Sequence, residues 1–288
     1  MGRDTGASII EVRDLVKEYN GHRALDGISF EVVEGEIFGF LGPNGAGKTT
    51  TIRIMVGLLP PTSGDVLIAG FRPWQDYGKV KGMIGVVFEN ENLYERLSVR
   101  ENLELFGKFY GVPKGRIDEV IAEMDLEGEE RNKVRALSHG MRRRVMLARA
   151  IMHGPKILFL DEPTLGLDVP GAFAIRERIK RMKGMGVTVF LTTHYMEEAE
   201  QLCDRVAFIN KGKIIAIGTP SSLIGNLPIK RTIHLELSDG SHANVDLDDP
   251  EAPDIVASLL KRGKVLRIST TSSSLEDVFM HLTGGEAL

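Results

Sequence analysis

Hydrophobic positions along the chain fall into three patterns, and each pattern predicts a different kind of structure. Over the first ~220 residues, short apolar runs alternate with helix-compatible segments, an order that is typical of an α/β domain. The runs predicted to form strands lie at 11–13, 28–32, 36–41, 65–69, 157–160 and 187–191. Thr219 and Pro220 mark a predicted boundary, so we expect one domain at 8–220 and a second at 221–288.

The segment from about 93 to 136 has the second pattern, because it is polar, favours helix and is poor in strand signals. Within it, Leu103, Phe106 and Tyr110 recur at spacings of three and four residues. This spacing predicts that the three side chains form one buried helical face. We therefore expect a helical insertion in the α/β domain.

The segment after the predicted boundary has the third pattern. Alternating apolar positions at 233–237 and 243–247 flank a polar turn at 238–241, which predicts a β-hairpin. Ser274 and Asp277 have the spacing of a capping box at the start of a helix. The remaining predicted elements are a helix at 253–262, a strand at 265–268 and a helix at 274–282. We expect a small α+β domain with an accessory role, because it contains no cluster of reactive side chains.

A glycine-rich loop joins the strand predicted at 36–41 to a helix-compatible run at 50–56. Its glycines allow successive backbone N–H groups to turn towards phosphate oxygens, and the start of the helix adds partial positive charge. In this strand–loop–helix context Lys48 can reach the β- and γ-phosphates, and the Thr49 hydroxyl can bind Mg²⁺. The residues predicted to bind ATP are Gly42, Pro43, Asn44, Gly45, Ala46, Gly47, Lys48, Thr49 and Thr50.

Two carboxylates, Asp161 and Glu162, directly follow the apolar run at 157–160. They are expected at the tip of a buried parallel strand, beside the crevice where α/β sheets bind ligands. We expect Asp161 to hold Mg²⁺ through water and Glu162 to orient and polarise the attacking water. With the phosphate loop, these residues predict an ATPase site.

The composition of the chain restricts its possible partners and its cellular compartment. The chain has 288 residues and a net charge of −4, which argues against nucleic acid as its main partner. Its single cysteine, Cys203, rules out an intrachain disulfide and suits a reducing cytosol. No apolar run approaches the ~18 residues that span a bilayer, so any membrane role must come through a partner.

Four further features give the chain a family resemblance. The segment 137–141 resembles the signature sequence of ABC ATPases, normally Leu-Ser-Gly-Gly-Gln, and 165–168 resembles the D-loop of that family. His194 matches the family's switch histidine, and Tyr19 lies where the family stacks an aromatic ring on adenine. The resemblance covers about residues 8–220. It implies a phosphate-loop NTPase of the α/β class, with an antiparallel β subdomain and a helical subdomain at about 90–153.

The resemblance also implies how two copies of the chain act together. On ATP binding, two chains would form a head-to-tail homodimer, with each ATP held between the phosphate loop of one chain and the signature of the other. The signature residues are Ser138, His139, Gly140 and Met141. Glu162 and His194 would be catalytic, and Asp168 would couple the two sites. Ser138 is independently predicted to cap the helix that follows it.

Three positions depart from the family pattern. Glu89 stands where most relatives have a glutamine that touches Mg²⁺ and water. A carboxylate can still bind Mg²⁺, so we expect a changed metal affinity there. His139 and Met141 replace a glycine and the glutamine of the signature, and such forms resemble the drug-export branch of the family.

The arginines at 142–144 are predicted to form a solvated helix face.

The tail at 274–284 closely resembles the terminal motif of export ATPases of the drug-resistance type. The resemblance implies a subunit that hydrolyses ATP to power export through a separately encoded membrane permease, at the cytoplasmic face of the cell membrane. The permease would dock on the helical insertion near 93–105, whereas Phe106 and Tyr110 are expected mainly in core packing. The alternatives are an importer ATPase, a soluble ABC ATPase that acts on ribosomes or DNA, and a non-hydrolysing clamp or regulatory subunit.

Overall fold

A computed structural model describes residues 7–227, 232–246, 249–263, 265–270 and 273–284 of the chain. The chain divides into two compact units, the first ending at Pro220 and the second beginning at Ser221. None of the described helices is long and apolar enough to cross a membrane.

Two sheets form the first unit. Its strands are β1 Ser8–Tyr19, β2 His22–Val33, β3 Ile37–Leu41, β4 Ser63–Ile68, β5 Ile84–Val87, β6 Ile157–Asp161, β7 Thr188–Thr193, β8 Arg205–Asn210 and β9 Lys213–Gly218. The larger sheet has the order β5-β6-β7-β3-β8-β9, and only β9 pairs antiparallel. Strands β3, β6 and β7 are buried along their whole length. This continuous burial agrees with their apolar runs, because a strand that is covered on both faces has no polar side.

The smaller sheet has the antiparallel order β2-β1-β4. Both β1 and β2 are 12 residues long, well beyond the runs at 11–13 and 28–32 that the sequence predicted. Their extra length includes the buried apolar residues Ile9, Ile10, Leu15 and Leu25. Exposed polar positions between these residues continue the backbone ladder and interrupt the hydrophobic pattern. The aromatic ring of Phe30 stacks on Phe38 of β3, with centroids 5.7 Å apart, so the two sheets share one core.

Helices connect the strands of the first unit. They are α1 Lys48–Met55, α2 Tyr77–Val80, α3 Val99–Tyr110, α4 Lys114–Glu123, α5 His139–Ile151, α6 Val169–Gly184 and α7 Met196–Leu202, with a short 3-10 helix at Val134–Ala136 and helix α8 Pro220–Gly225 at the unit boundary. Helix α3 begins with a capping box of Ser98 and Glu101 and ends at Gly111, which has a positive φ of 67°. The predicted helical insertion thus contains α3 and α4.

One prediction for the insertion is wrong in two of its three residues. Leu103 is fully buried, but Phe106 is only half-buried and Tyr110 is 41% exposed. The ring of Tyr110 stacks on His153 at a centroid distance of 4.1 Å, and Arg149 lies 4.4 Å from the Phe106 ring. Aromatic spacing on a helix indicates a shared face, but here that face is divided between the core and a surface groove.

The second unit contains one antiparallel sheet of order β11-β10-β12. Its elements are β10 Thr232–Leu237, β11 His242–Asp246, α9 Ala252–Lys261, β12 Val265–Thr270 and α10 Leu275–Leu282. The predicted hairpin is confirmed, with Leu235 opposite Ala243, although Leu247 lies outside the described residues. The predicted capping box is confirmed as well, since Ser274 accepts from the Asp277 backbone N–H at 3.2 Å.

Candidate functional site

The carboxyl ends of three neighbouring strands bring the predicted site residues together. Strand β7 lies between β6 and β3, and all three run parallel. The phosphate loop follows β3, the acidic pair ends β6, and His194 follows β7. Because parallel strands end at the same edge of a sheet, these loops meet in one crevice.

The phosphate loop has a backbone that only glycine can supply at two positions. A Cβ at Gly42 would lie 2.1 Å from the Ile209 carbonyl oxygen, which is far inside van der Waals contact. At Gly47, φ is +113° and a Cβ would lie 2.8 Å from the Ala24 carbonyl oxygen. Helix α1 begins directly after Gly47, so its free backbone N–H groups face the loop.

Lys48 is buried beneath this loop. Its Nζ donates to the Gly42 carbonyl oxygen at 2.5 Å and to the Pro43 carbonyl oxygen at 3.3 Å. The same atom lies 3.1 Å from Oε1 of Glu162. The amine therefore joins the phosphate loop to the acid at the end of β6, where its charge can act on a phosphate between them.

Two threonine hydroxyls donate hydrogen bonds to the carboxylate of Asp161. Thr49 Oγ1 donates to Asp161 Oδ2 at 2.9 Å, and Thr192 Oγ1 donates to Oδ1 at 2.6 Å. Hard oxygen donors of this kind fit Mg²⁺, which keeps water and phosphate oxygens as its other ligands. No cluster of three or more His, Cys, Asp or Glu side chains among the described residues could hold a metal by itself.

Glu162 has the most constrained backbone of the site. Its φ is +48°, a left-handed value that costs a non-glycine residue of the order of 1–2 kcal/mol. The residue is only 4% exposed, and its Oε2 lies 3.0 Å from His194 Nδ1. Contacts on both of its polar groups hold the main chain, because Glu162 N–H donates to the Thr192 carbonyl oxygen at 3.1 Å and Arg143 Nη2 donates to the Glu162 carbonyl oxygen at 2.9 Å.

The prediction of a solvated face at 142–144 is wrong for Arg143, which is 1% exposed. Its Nη1 donates to the Phe88 carbonyl oxygen at 2.9 Å, so one guanidinium holds both the end of β5 and the Glu162 backbone. Burial lowers the pKa of Arg143, against the opposing charges of nearby carboxylates. Helical spacing could have revealed this residue, because positions 143, 146, 147 and 150 lie on one buried face.

The predicted signature lies in a separate cleft. Ser138 is exposed and caps α5 by accepting from the Met141 N–H at 3.2 Å, as predicted. Gly140 lines this cleft with Ser138 and Asp168, and Asp168 caps α6 by accepting from the Gly171 N–H at 3.0 Å. No phosphate-loop residue lines the cleft.

Two other predicted residues lie at the margin of the crevice. Glu89 is exposed at the end of β5, and among the described residues it makes no side-chain contact with Thr49 or Asp161. Tyr19 ends β1 and is 41% exposed, with Lys17 Nζ 5.1 Å from its ring centroid. The Tyr19 ring is therefore accessible to a flat ligand.

Known proteins resemble this chain in both sequence and fold. The family described as ABC transporter matches residues 25–165. The uncharacterized ABC transporter ATP-binding protein YhcH of Bacillus subtilis is 37% identical, over 96% of each chain. The linearmycin resistance ATP-binding protein LnrL of the same organism is 35% identical, over 96% of this chain and 98% of its own. The Nod factor export ATP-binding protein I of Ralstonia nicotianae is 37% identical, over 96% of this chain and 94% of its own.

Among solved structures, the ATP-binding cassette MJ0796 is similar in a dimeric, post-hydrolysis state bound to ADP and phosphate. It superposes with a TM-score of 0.67 at 28% identity, over 73% of this chain and 98% of that chain. The extent and identity of these matches agree with the phosphate loop, the acidic pair and the α/β sheet described above. The chain therefore belongs to the family of ABC transporter ATP-binding proteins and is an ATPase.

Proposed function

We propose that the chain is the ATP-hydrolysing subunit of an export system, acting as a pair of copies bound to a membrane permease. One observation carries the catalytic part: the buried carboxylate of Glu162 lies between Lys48 and His194, at 3.1 and 3.0 Å. The export part is supported by the relatives named for linearmycin resistance and Nod factor export. Its place in the cell would be the cytoplasmic face of the membrane.

Glu162 would act as the general base. Its carboxylate accepts from His194 on one oxygen and faces the Lys48 ammonium on the other, so its orientation is fixed before a substrate water arrives. Lys48 would neutralise charge on the β- and γ-phosphates, while backbone N–H groups at the start of α1 would bind phosphate oxygens. His194 would stabilise charge near the γ-phosphate.

Thr49 and Asp161 would hold Mg²⁺, because their oxygens lie 2.9 Å apart at the edge of the loop. When bound, the ion would neutralise phosphate charge and orient the phosphoryl group for in-line attack. Thr192 fixes the Asp161 carboxylate from the other side, at 2.6 Å. Glu89 would serve as an additional metal ligand, as the family position implies.

The signature would act on the nucleotide of a second copy. Ser138 and Gly140 line a cleft to which the phosphate loop does not contribute, so the start of α5 is free to face another chain's γ-phosphate. The dimeric MJ0796 structure, which holds ADP and phosphate, supports this arrangement. ATP would stabilise the pair through contacts that the separated chains lack.

A groove beside the insertion would receive the permease. Its lining includes Leu58, Tyr77, Phe106, Tyr110 and Arg149. Burial lowers the pKa of Arg149 to about 10, and its Nη1 donates to the Asn92 carbonyl oxygen at 2.9 Å. No carboxylate among the described residues pairs with this guanidinium. A permease segment with apolar side chains and an acidic residue would complement the groove in both shape and charge.

Purification of the tagged chain from detergent-solubilised membranes of its host tests the proposal. We expect a polytopic membrane protein to copurify in stoichiometric amount. Leu58→Asp places a charge in the groove and should abolish this copurification. Met185→Asp, at a similarly exposed apolar residue outside the groove, is the matched control. Recovery with ribosomes or DNA instead would contradict the export role. ATP hydrolysis is measured on the same preparations, so failure of the catalytic part is seen separately.

A further inference from the structure

Tyr195 directly follows His194, and its ring packs on the imidazole. The two ring centroids lie 4.1 Å apart, and the planes of the rings meet at 38°. The same imidazole contacts Glu162, because His194 Nδ1 lies 3.0 Å from Glu162 Oε2. His194 is therefore in contact with the proposed base and with an aromatic ring at the same time.

The main chain fixes the position from which this ring extends. The Tyr195 N–H donates to Thr193 Oγ1 at 3.0 Å, and Thr193 is fully buried at the end of β7. Tyr195 has φ −85° and ψ 101°, an extended conformation without strain. A tyrosine side chain rotates about few bonds, so a fixed backbone places the ring at a low cost in conformational entropy.

Core packing does not account for the Tyr195 ring. The residues that anchor α7 in the core are Met196, Ala199 and Leu202, which are all buried. Tyr195 is 45% exposed and is not one of these anchors. The ring instead packs on His194, whose side chain is only 25% exposed. Its contact is thus with the catalytic pair and not with the core.

The position of Tyr195 at the start of a helix is normally used for a different purpose. It is the residue before α7, where a Ser, Thr, Asp or Asn side chain would accept a hydrogen bond from the first turn. Tyr195 makes no such bond. The chain therefore lacks a stabilising cap here and has an exposed aromatic ring in its place. Local preferences that are broken in this way are expected at functional sites.

We propose that Tyr195 is a positioning residue for ATP hydrolysis, whose ring holds the His194 imidazole in the orientation that contacts Glu162. This inference rests on the proposed function, in which Glu162 is the general base. Without the ring, the imidazole is free to rotate about its side-chain bonds, and water reaches the contact between His194 and Glu162. Water weakens that contact, because its high dielectric constant reduces electrostatic attraction. ATP affinity depends on the phosphate loop and Lys48, so it does not change.

The test compares three substitutions in the full chain. Tyr195→Phe keeps the ring, Tyr195→Ala removes it, and Tyr195→Ser removes it while supplying a side chain that caps α7. Among the described residues no hydrogen bond involves the Tyr195 hydroxyl, so Tyr195→Phe should keep the wild-type kcat. For the other two variants we expect kcat for MgATP to fall by about 2- to 12-fold, the scale of one aromatic pair, with KM unchanged.

The serine variant separates positioning from stability. Its cap should give Tyr195→Ser a higher Tm than Tyr195→Ala, while its kcat should be equally low. If Tyr195 acted only through the stability of α7, serine would restore kcat. That result would overturn the inference.

Proton NMR measures the ring contact directly. The ring current of Tyr195 shifts the imidazole C–H signals of His194, and these are assigned among the seven histidines by their loss in His194→Ala. We expect the shift to disappear in Tyr195→Ala and Tyr195→Ser and to persist in Tyr195→Phe. Signals that stay at the same position in all three variants would overturn the inference.

The matched control is Phe109→Ala. Phe109 is an exposed aromatic residue of α3 whose ring meets Phe106 at a centroid distance of 6.2 Å, and it lines neither the groove nor the signature cleft. Its kcat should equal that of the wild type. Unchanged kcat in both variants that lack the ring would overturn the inference and leave the proposed function standing. If His194→Ala and Glu162→Gln keep wild-type turnover, the catalytic part of the proposed function fails and the inference fails with it.

Discussion

Arg143→Lys tests whether the backbone around Glu162 must be held in place for hydrolysis. The wild-type guanidinium donates to the carbonyl oxygens of Phe88 and Glu162, each at 2.9 Å, from a side chain that is 1% exposed. Lysine keeps the positive charge but lacks the planar fork, so its ammonium can approach one carbonyl at most. The substitution therefore removes one charge-assisted hydrogen bond without removing the charge.

The size of the effect follows from the bond that is lost. A hydrogen bond to a charged group contributes about 1.5–3 kcal/mol. The left-handed backbone of Glu162 is intrinsically unfavourable, so a weakened hold lets it move away from the position where its carboxylate meets His194. If this loss falls on the transition state, kcat drops about 10- to 150-fold. KM changes little, because the phosphate loop and Lys48 do not contact Arg143.

Steady-state hydrolysis of MgATP gives kcat and KM, and calorimetric ATP binding shows whether the nucleotide site survives. Arg205→Lys is the control, because Arg205 likewise donates to a backbone carbonyl, that of Glu31, and its other contact is the Glu36 carboxylate. It begins β8, at the end of the sheet opposite the phosphate loop. A cooperatively folded Arg143→Lys enzyme with kcat within about twofold of wild type would refute the reasoning, since the loss of such a bond predicts about tenfold or more.

Three further predictions concern single side chains. Glu162→Gln should lower kcat by about 10²–10⁴ and leave ATP binding intact, and wild-type turnover would contradict its role as base. Tyr19→Ala should weaken ATP binding by about 1–3 kcal/mol, whereas Tyr19→Phe should not, because stacking needs only the ring; equal affinities in calorimetry would exclude stacking. Burial raises the pKa of Glu198 above 4.5, so its stabilising protonated form is lost as pH rises through the folded-state value. Glu198→Gln should therefore raise Tm near about pH 8 and leave Tm unchanged below pH 4.5. An equal rise in Tm at both pH values would show that burial of the ionised carboxylate is not the cause.

Three strands of the larger sheet, β3, β6 and β7, were predicted because burial on both faces gives an apolar run, whereas β5, β8 and β9 were not predicted. All five residues of β6 are buried, and the sequence predicted four of them, at 157–160. The order of the strands was not predictable. Strand β3 pairs with β7 and β8, which follow it by more than a hundred residues, and nothing local in the sequence specifies such crossovers.

The candidate site was predictable where one short segment carries the chemistry. The phosphate loop and the acidic pair each combine specific residue types with a required strand or helix beside them, and both parts of this pattern can be recognised in the sequence. Thr192 and Arg143 were not identified as site residues, although both contact the acidic pair. A threonine in a buried strand carries no local signal, and the helical spacing that places Arg143 on a buried face does not show what its guanidinium contacts. Their roles arise from long-range packing.

Thr192 shows why that packing matters for catalysis. Its hydroxyl donates to Asp161, its carbonyl oxygen accepts from the Glu162 N–H, and the strand it belongs to delivers His194 to the Glu162 carboxylate. The end of β7 therefore contacts Asp161, the proposed metal-binding acid, and the backbone of Glu162, the proposed base, and it carries the imidazole partner of that base. Any displacement of β7 relative to β6 would disturb all three contacts together, because they share one strand end. Local motifs specify which groups are present, and the pairing of β6 with β7 sets the distances at which they can act.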